Sequence, residues 1–110
     1  MKKGPLRRGE LVVRPGEHRG DYFRVLQETA RSQTAVMTVA PGQDAGPAET
    51  HAADQIVYVI EGEAEVRIGD EPLTVRSGAL VLIPAGTLHH VRSVGAGPLF
   101  FLTVYAPPEY

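Results

Sequence analysis

"GALVLIPAGTLHHV", residues 78–91, contains an apolar run, a breaker and a second run in immediate succession. Pro84 fixes its own φ, and Gly86 accepts backbone angles closed to other residues, so Pro84-Ala85-Gly86-Thr87 reads as a turn between two strands. Side chains alternate across a strand, so His89 and His90 must face opposite ways. The turn is expected to aim His89 inward and leave His90 on the solvent side. Residues 78–91 therefore read as strand, turn and strand, with an imidazole at the inner start of the second strand.

The same rhythm extends in both directions. "LVVR" ends at Pro15-Gly16, "TAVMTVA" at Pro41-Gly42, "QIVYVIE" at Gly62 and "AEVRI" at Gly69-Asp70. "PLTVR" ends at Ser77-Gly78, "HHVRSV" at Gly95-Ala96-Gly97 and "LFFLTVYA" at Pro107-Pro108. Short runs about 8–12 residues apart with Gly or Pro between them predict an all-β sandwich or closed barrel. Ile68-Gly69-Asp70-Glu71 reads as a tight hairpin turn. "DYFRVLQETARS" has weak helical spacing, but Tyr22, Phe23, Val25 and Leu26 suit a strand equally well.

Composition agrees with a globular domain. The chain has 110 residues, 43% hydrophobic and 22% charged, and its 12 Gly and 9 Pro are spread along its length. Residues 1–110 are expected to form one domain, with residues 1–10 a flexible or dimer-contacting N-terminal segment. The net charge of −2 gives no general attraction to nucleic acid, and the basic start "MKKGPLRR" reads as a solvated tail. No apolar stretch reaches membrane-spanning length, and no apolar core follows the basic start, so a cytoplasmic location is expected. The absence of cysteine excludes disulfides, thiol nucleophiles and thiolate metal sites. Any metal must be held by nitrogen and oxygen.

"ETHAADQ", residues 49–55, supplies such atoms. Glu49 and His51 project together if the segment is extended, and a turn at Ala52-Ala53-Asp54 would let Gln55 open the neighbouring strand. If the strand carrying His89 lies beside them, two imidazoles, one carboxylate and one amide oxygen meet. By parity Val57 and Val59 face inward with the site. Met37, Val39, Phe101, Thr103 and Tyr105 are candidate pocket walls or core. His18, in a polar glycine-containing segment, is expected to be exposed. "PGQDAGP" lacks a following helix signal and a Lys-Ser/Thr, so it is a turn and not a phosphate loop.

Together these segments resemble the two motifs of the cupins, small double-stranded β-helix barrels. Glu49 sits at the first His position of the first motif, His51 matches the second His, Gln55 sits at the Glu position, and Gly62 falls at the expected spacing. In the second motif Gly78, Pro84, Gly86 and His89 fit without a gap, and Ser93 replaces an Asn. The resemblance spans about residues 34–105 and implies an all-β, single-domain cupin jelly-roll, or double-stranded β-helix barrel, of the mannose-6-phosphate-isomerase-like, RmlC-like group. It also implies a divalent metal ion (Fe, Mn, Zn, Ni or Cu) on Glu49, His51, Gln55 and His89. The single carboxylate has been relocated within the ligand set.

Three functions are compatible with that resemblance. The expected one is a metal-dependent enzyme of dioxygenase or isomerase/epimerase type, acting on a small polar molecule in the barrel pocket. Glu49 itself, or Tyr58 and Tyr105 if they line the pocket, would be its acid–base partners. The others are a non-catalytic small-molecule binding or sensing cupin, and a metal-free degenerate barrel with a structural role. A homodimer is expected, since pairing covers edge strands, and "ELVVRP" could add a strand to a partner's sheet. Nucleic acid and membrane are not expected partners.

Overall fold

The computed structural model describes residues 10–110. A 3-10 turn at Pro15–His18 precedes eight strands: β1 Phe23–Glu28, β2 Gln33–Val39, β3 Asp54–Glu61, β4 Glu63–Ile68, β5 Glu71–Arg76, β6 Leu80–Ile83, β7 His89–Ser93 and β8 Leu99–Ala106. They form a five-stranded sheet in the order β1-β2-β8-β3-β6 and a three-stranded sheet in the order β5-β4-β7, with every pairing antiparallel. This is the expected all-β jelly-roll. Among the described residues no helix is long and apolar enough to cross a membrane.

Between the sheets lies a core of Met37, Val39, Val57, Val59, Ala64, Val66, Val81, Ile83, Val91, Leu99 and Phe101. The parity expectation for Val57 and Val59 is met, since each is 1% exposed. Burying a side chain of this kind contributes about 1.5–3 kcal/mol. Strand β3 reads as an unbroken apolar run because both its faces carry apolar groups. Val57 and Val59 point into the core, while Ile56 and Tyr58 point outward and stay partly exposed.

The turns explain the glycines. Gly69 takes φ +60 at the β4–β5 hairpin, as expected for that Gly-Asp pair. Gly62 joins β3 to β4 with φ +93, and a Cβ there would stand 2.4 Å from the Pro98 carbonyl oxygen and 2.9 Å from Leu99 Cα. Only glycine lets these two segments approach so closely.

The first apolar run departs from expectation. "LVVR" forms no strand; Glu10–Arg14 is irregular and leads into the 3-10 turn, with Leu11 and Val12 exposed. Its backbone polar groups are served otherwise, the Gln27 side chain donating to the carbonyls of Glu10 (3.1 Å) and Leu11 (3.0 Å). Val13 packs on Leu26, Val36 and Phe100, on the outer side of the large sheet. Arg19 extends this cover, lying over the Phe100 ring and bonding Glu61 at 2.8 Å. Residues 10–20 therefore cover the β1-β2-β8 half of that face, and Ile56, Tyr58, Leu80 and Leu82 stay exposed on the β3-β6 half. The expectations for "MKKGPLRR" and the start of the N-terminal segment fall on residues 1–9, outside the described residues.

Candidate metal centre

Two segments distant in sequence meet through their main chains. Glu49 and His89 form an isolated antiparallel bridge, Glu49 N–H donating to His89 O at 3.0 Å and His89 N–H to Glu49 O at 2.9 Å. The Pro84–Thr87 turn adds a third tie, Gly86 N–H donating to the His51 carbonyl at 2.8 Å. Ala85 N–H bonds the Asp54 carboxylate at 2.9 Å, fixing the same turn to the start of β3. The bend after His51 then delivers Gln55 into β3.

Side chains follow the backbone. Glu49, His51 and His89 each offer one donor atom, and the three atoms lie within 4.8 Å of one another. His51 and His89 are buried, their rings 4.9 Å apart, while the Glu49 carboxylate is half-exposed. Glu49 Oε2 stands 3.9 Å from His51 Nε2. His89 Nδ1 lies 3.0 Å from the Thr87 carbonyl. A carbonyl can only accept, so Nδ1 carries the hydrogen and Nε2 keeps its lone pair for the site.

Gln55 is also buried, on β3. Its Nε2 donates to Thr103 Oγ1 at 3.0 Å and approaches the Tyr105 hydroxyl at 3.4 Å. Its Oε1 is buried with no hydrogen-bond partner among the described residues. An unpaired buried oxygen costs about 1–3 kcal/mol, which a cation would recover. Two imidazoles with available Nε2 atoms, one carboxylate and one orphaned amide oxygen suit a borderline divalent ion.

These groups line one cavity of about 280 Å³. Tyr22, Phe23, Met37, Phe101, Tyr105 and Tyr110 form its apolar and aromatic wall. Of the expected wall residues, Met37, Phe101 and Tyr105 do line it, whereas Val39 and Thr103 are buried away from it. Burial pushes the Tyr105 phenol well above the usual range, with the neighbouring Tyr110 phenol adding to the push. Tyr110 is raised as well, first by burial and then by the Glu49 and Glu109 carboxylates. Both hydroxyls stay protonated at neutral pH.

Three expectations are corrected here. Tyr58 cannot serve the cavity, because its place on β3 turns it outward, where it is 42% exposed. His18 is half-buried, its Nδ1 3.7 Å from Asp21 Oδ2. His90 stays out of the donor cluster, but it is not on the solvent side alone: it lines the same cavity, its Nε2 lies 3.3 Å from Asp44 Oδ1, and Asp44 also binds Arg92 at 2.8 Å. Sequence reasoning missed Glu109, whose Oε2 stands 3.4 Å from His51 Nδ1, and the rings of Tyr22, Phe23 and Tyr110. The only sequence signal near the first and last of these is the Pro107-Pro108 pair that ends β8.

Comparison with known proteins places the barrel. Residues 35–105 match the family described as Cupin domain. A crystal structure of a Bacillus halodurans protein superposes with a TM-score of 0.85 at 32% identity, covering 94% of this chain and 85% of that one. A Klebsiella pneumoniae protein, described as having a double-stranded β-helix domain, gives a TM-score of 0.79 at 26% identity over 89% of this chain and 90% of its own. An uncharacterized Streptomyces coelicolor protein is 28% identical over 104 residues, 94% of this chain and 96% of the relative.

Proposed function

This chain belongs to the cupin family, and on that premise we propose that it is a metal-dependent enzyme acting on a small polar molecule in the barrel pocket. In this reading residues 1–110 act as one domain. Glu49, His51 and His89 hold a divalent ion (Fe, Mn, Zn, Ni or Cu), with the Gln55 carbonyl oxygen as a fourth donor. The observation that carries the reading is the convergence of three donor atoms within 4.8 Å on a cavity that Gln55, whose amide oxygen is buried and orphaned, also lines. When bound, such an ion supplies Lewis acidity and open positions for an oxygen-bearing ligand, as dioxygenase- and isomerase/epimerase-type reactions require.

The protein's own groups set what can enter. A cavity of about 280 Å³ lies below the range typical of drug-sized ligands, so the occupant is small. Phe23, Met37 and Phe101 exclude water from one side of it. The Tyr105 and Tyr110 rings stand 5.3 Å apart, and the neutral phenols place hydroxyl hydrogens, not negative charge, along the wall. The same protonation favours a second reading, binding or sensing without turnover, because it leaves Glu49 as the one carboxylate among the described residues that lines the cavity and can accept a proton.

A homodimer belongs to the proposal. The exposed Ile56, Tyr58, Leu80 and Leu82 lie on edge strand β6 and its neighbour, a face that a second copy would cover.

Elemental analysis tests the metal. The protein, loaded in turn with Fe, Mn, Zn, Ni and Cu, is compared with a His51→Ala, His89→Ala double variant. Near-stoichiometric metal in the parent and none in the folded variant is the expected result. If the parent takes up none of the five, the metal-enzyme reading is wrong.

A further inference from the structure

The segment that follows β8 does not trail away from the barrel; it turns back onto the cavity. Its anchor is Gln33, the first residue of β2 and 1% exposed. Gln33 Oε1 accepts the main-chain N–H of Glu109 at 3.1 Å and of Tyr110 at 3.0 Å. Gln33 Nε2 donates to the Tyr110 main-chain oxygen at 3.1 Å and to Glu28 Oε1 at 2.7 Å. A buried amide used at both ends is a strong constraint, because releasing either partner strands a polar atom.

Held this way, the two residues face the site. Glu109 Oε1 accepts the Ala53 N–H at 3.3 Å, and Oε2 lies 3.4 Å from His51 Nδ1. The Tyr110 ring packs against Phe23 at 5.0 Å, Tyr105 at 5.3 Å and His51 at 5.9 Å between centroids. An ionised carboxylate can only accept, so its approach favours a hydrogen on Nδ1 and leaves Nε2, the nitrogen nearer Glu49, with a lone pair. The Thr87 carbonyl does the same for His89. Each imidazole of the cluster thus has an oxygen near its Nδ1: for His89 one from the turn before β7, hydrogen-bonded at 3.0 Å, and for His51 one from the segment after β8, at the longer ion-pair distance of 3.4 Å.

We propose that Glu109 is a positioning residue that holds His51 with Nε2 presented to the metal site, and that Gln33 clamps Glu109 in place. This rests on the metal reading above and adds to it a specific residue outside the four expected donors.

Two readouts test it. In metal-free protein, imidazole nitrogen shifts from long-range proton–nitrogen NMR report which His51 nitrogen bears the hydrogen. The parent is expected to carry it on Nδ1, and Glu109→Ala to lose that preference. In a Co2+ titration, Glu109→Ala is expected to weaken affinity by about ten- to hundredfold and to change the visible absorption of the bound ion. Glu109→Gln, whose amide oxygen can still accept from Nδ1, should retain most of the parent affinity. Gln33→Leu should reproduce the loss without altering any group that touches His51.

The proposal is overturned if Glu109→Ala matches the parent in both nitrogen shifts and Co2+ affinity. It is also overturned if the parent carries the His51 hydrogen on Nε2. A parent that binds no Co2+ would sink the metal reading, and the nitrogen shifts would still decide the role of Glu109. Glu109 lies outside every strand, so circular dichroism is expected to show the barrel intact in its variants.

Discussion

The main-chain N–H of Gly86 donates to the carbonyl oxygen of His51 across 2.8 Å. That single bond ties the turn before β7 to the segment before β3. It joins two residues, one from each motif, that stand 35 positions apart in the sequence. Together with the reciprocal bonds between Glu49 and His89, it makes the site a property of backbone pairing.

Gly62 and Gly86 both have positive φ, yet they should respond differently to alanine. At Gly62 the new Cβ meets main-chain atoms, Pro98 O at 2.4 Å, and nothing flexible can yield. Gly62→Ala is expected to cost about 3 kcal/mol or more. A Cβ built at Gly86, φ +78, meets no atom of the described residues within 4 Å, so Gly86→Ala bears backbone strain alone, about 1–2 kcal/mol. Urea denaturation of both variants checks the order; equal losses would mean that close packing at Gly62 does not matter.

Gln55 is the residue whose exchange should separate stability from metal affinity. Gln55→Glu buries a second carboxylate in the cavity that already holds Glu49, and should destabilise metal-free protein by about 1–3 kcal/mol. With Co2+ or Mn2+ added, the extra anionic donor should raise the melting temperature by more than the same addition does in the parent. Melting curves with and without metal decide it. Equal metal-induced shifts would remove Gln55 from the donor set.

Alkaline pH offers a check that needs no metal. Burial raises the folded pKa of Tyr105. Above a pH of about 10 the unfolded chain releases this phenol proton while the folded chain keeps it. The contribution is therefore complete below about pH 10 and is lost as pH rises toward the folded value. Denaturation midpoints from pH 8 to 12 should fall more steeply for the parent than for Tyr105→Phe. Parallel curves would show that the buried hydroxyl has no part in the loss.

The uncovered half of the large sheet predicts the state of assembly. Leu80 and Leu82 are 71% and 60% exposed on an edge strand. Placing Lys at both positions should convert a dimer to a monomer in light scattering after size exclusion, with little change in monomer fold. A parent that already runs as a monomer would rule out this face as the contact.

Much of the fold was legible because its punctuation is chemical. Pro84-Ala85-Gly86-Thr87 and Ile68-Gly69-Asp70-Glu71 turn where their residue types require, and the parity of β3 placed Val57 and Val59 inside. The convergence of Glu49, His51 and His89 followed from motif spacing, because the pairing of those segments preserves that spacing in the barrel. "LVVR" misled for a physical reason: β-branched residues suit a strand, but no neighbouring edge takes this one, and Val13 alone among its three apolar side chains reaches the sheet. Tyr58 misled because apolar groups occupy both faces of β3, which hides its alternation. Glu109 and Tyr110 were illegible, since a segment after the last strand has no periodicity. Its course depends on one distant glutamine, Gln33.

The main-chain bridge between Glu49 and His89 separates scaffold from chemistry. Their Cα positions are set by atoms that every amino acid except proline possesses, so the side chains there can be exchanged without moving the frame. The barrel is in this sense a socket: the side chains at positions 49 and 89 can change while the same main-chain hydrogen bonds keep those two positions facing one another. Glu49, at a position where the cupin motif has a histidine, is a side-chain change that this main-chain bridge accommodates.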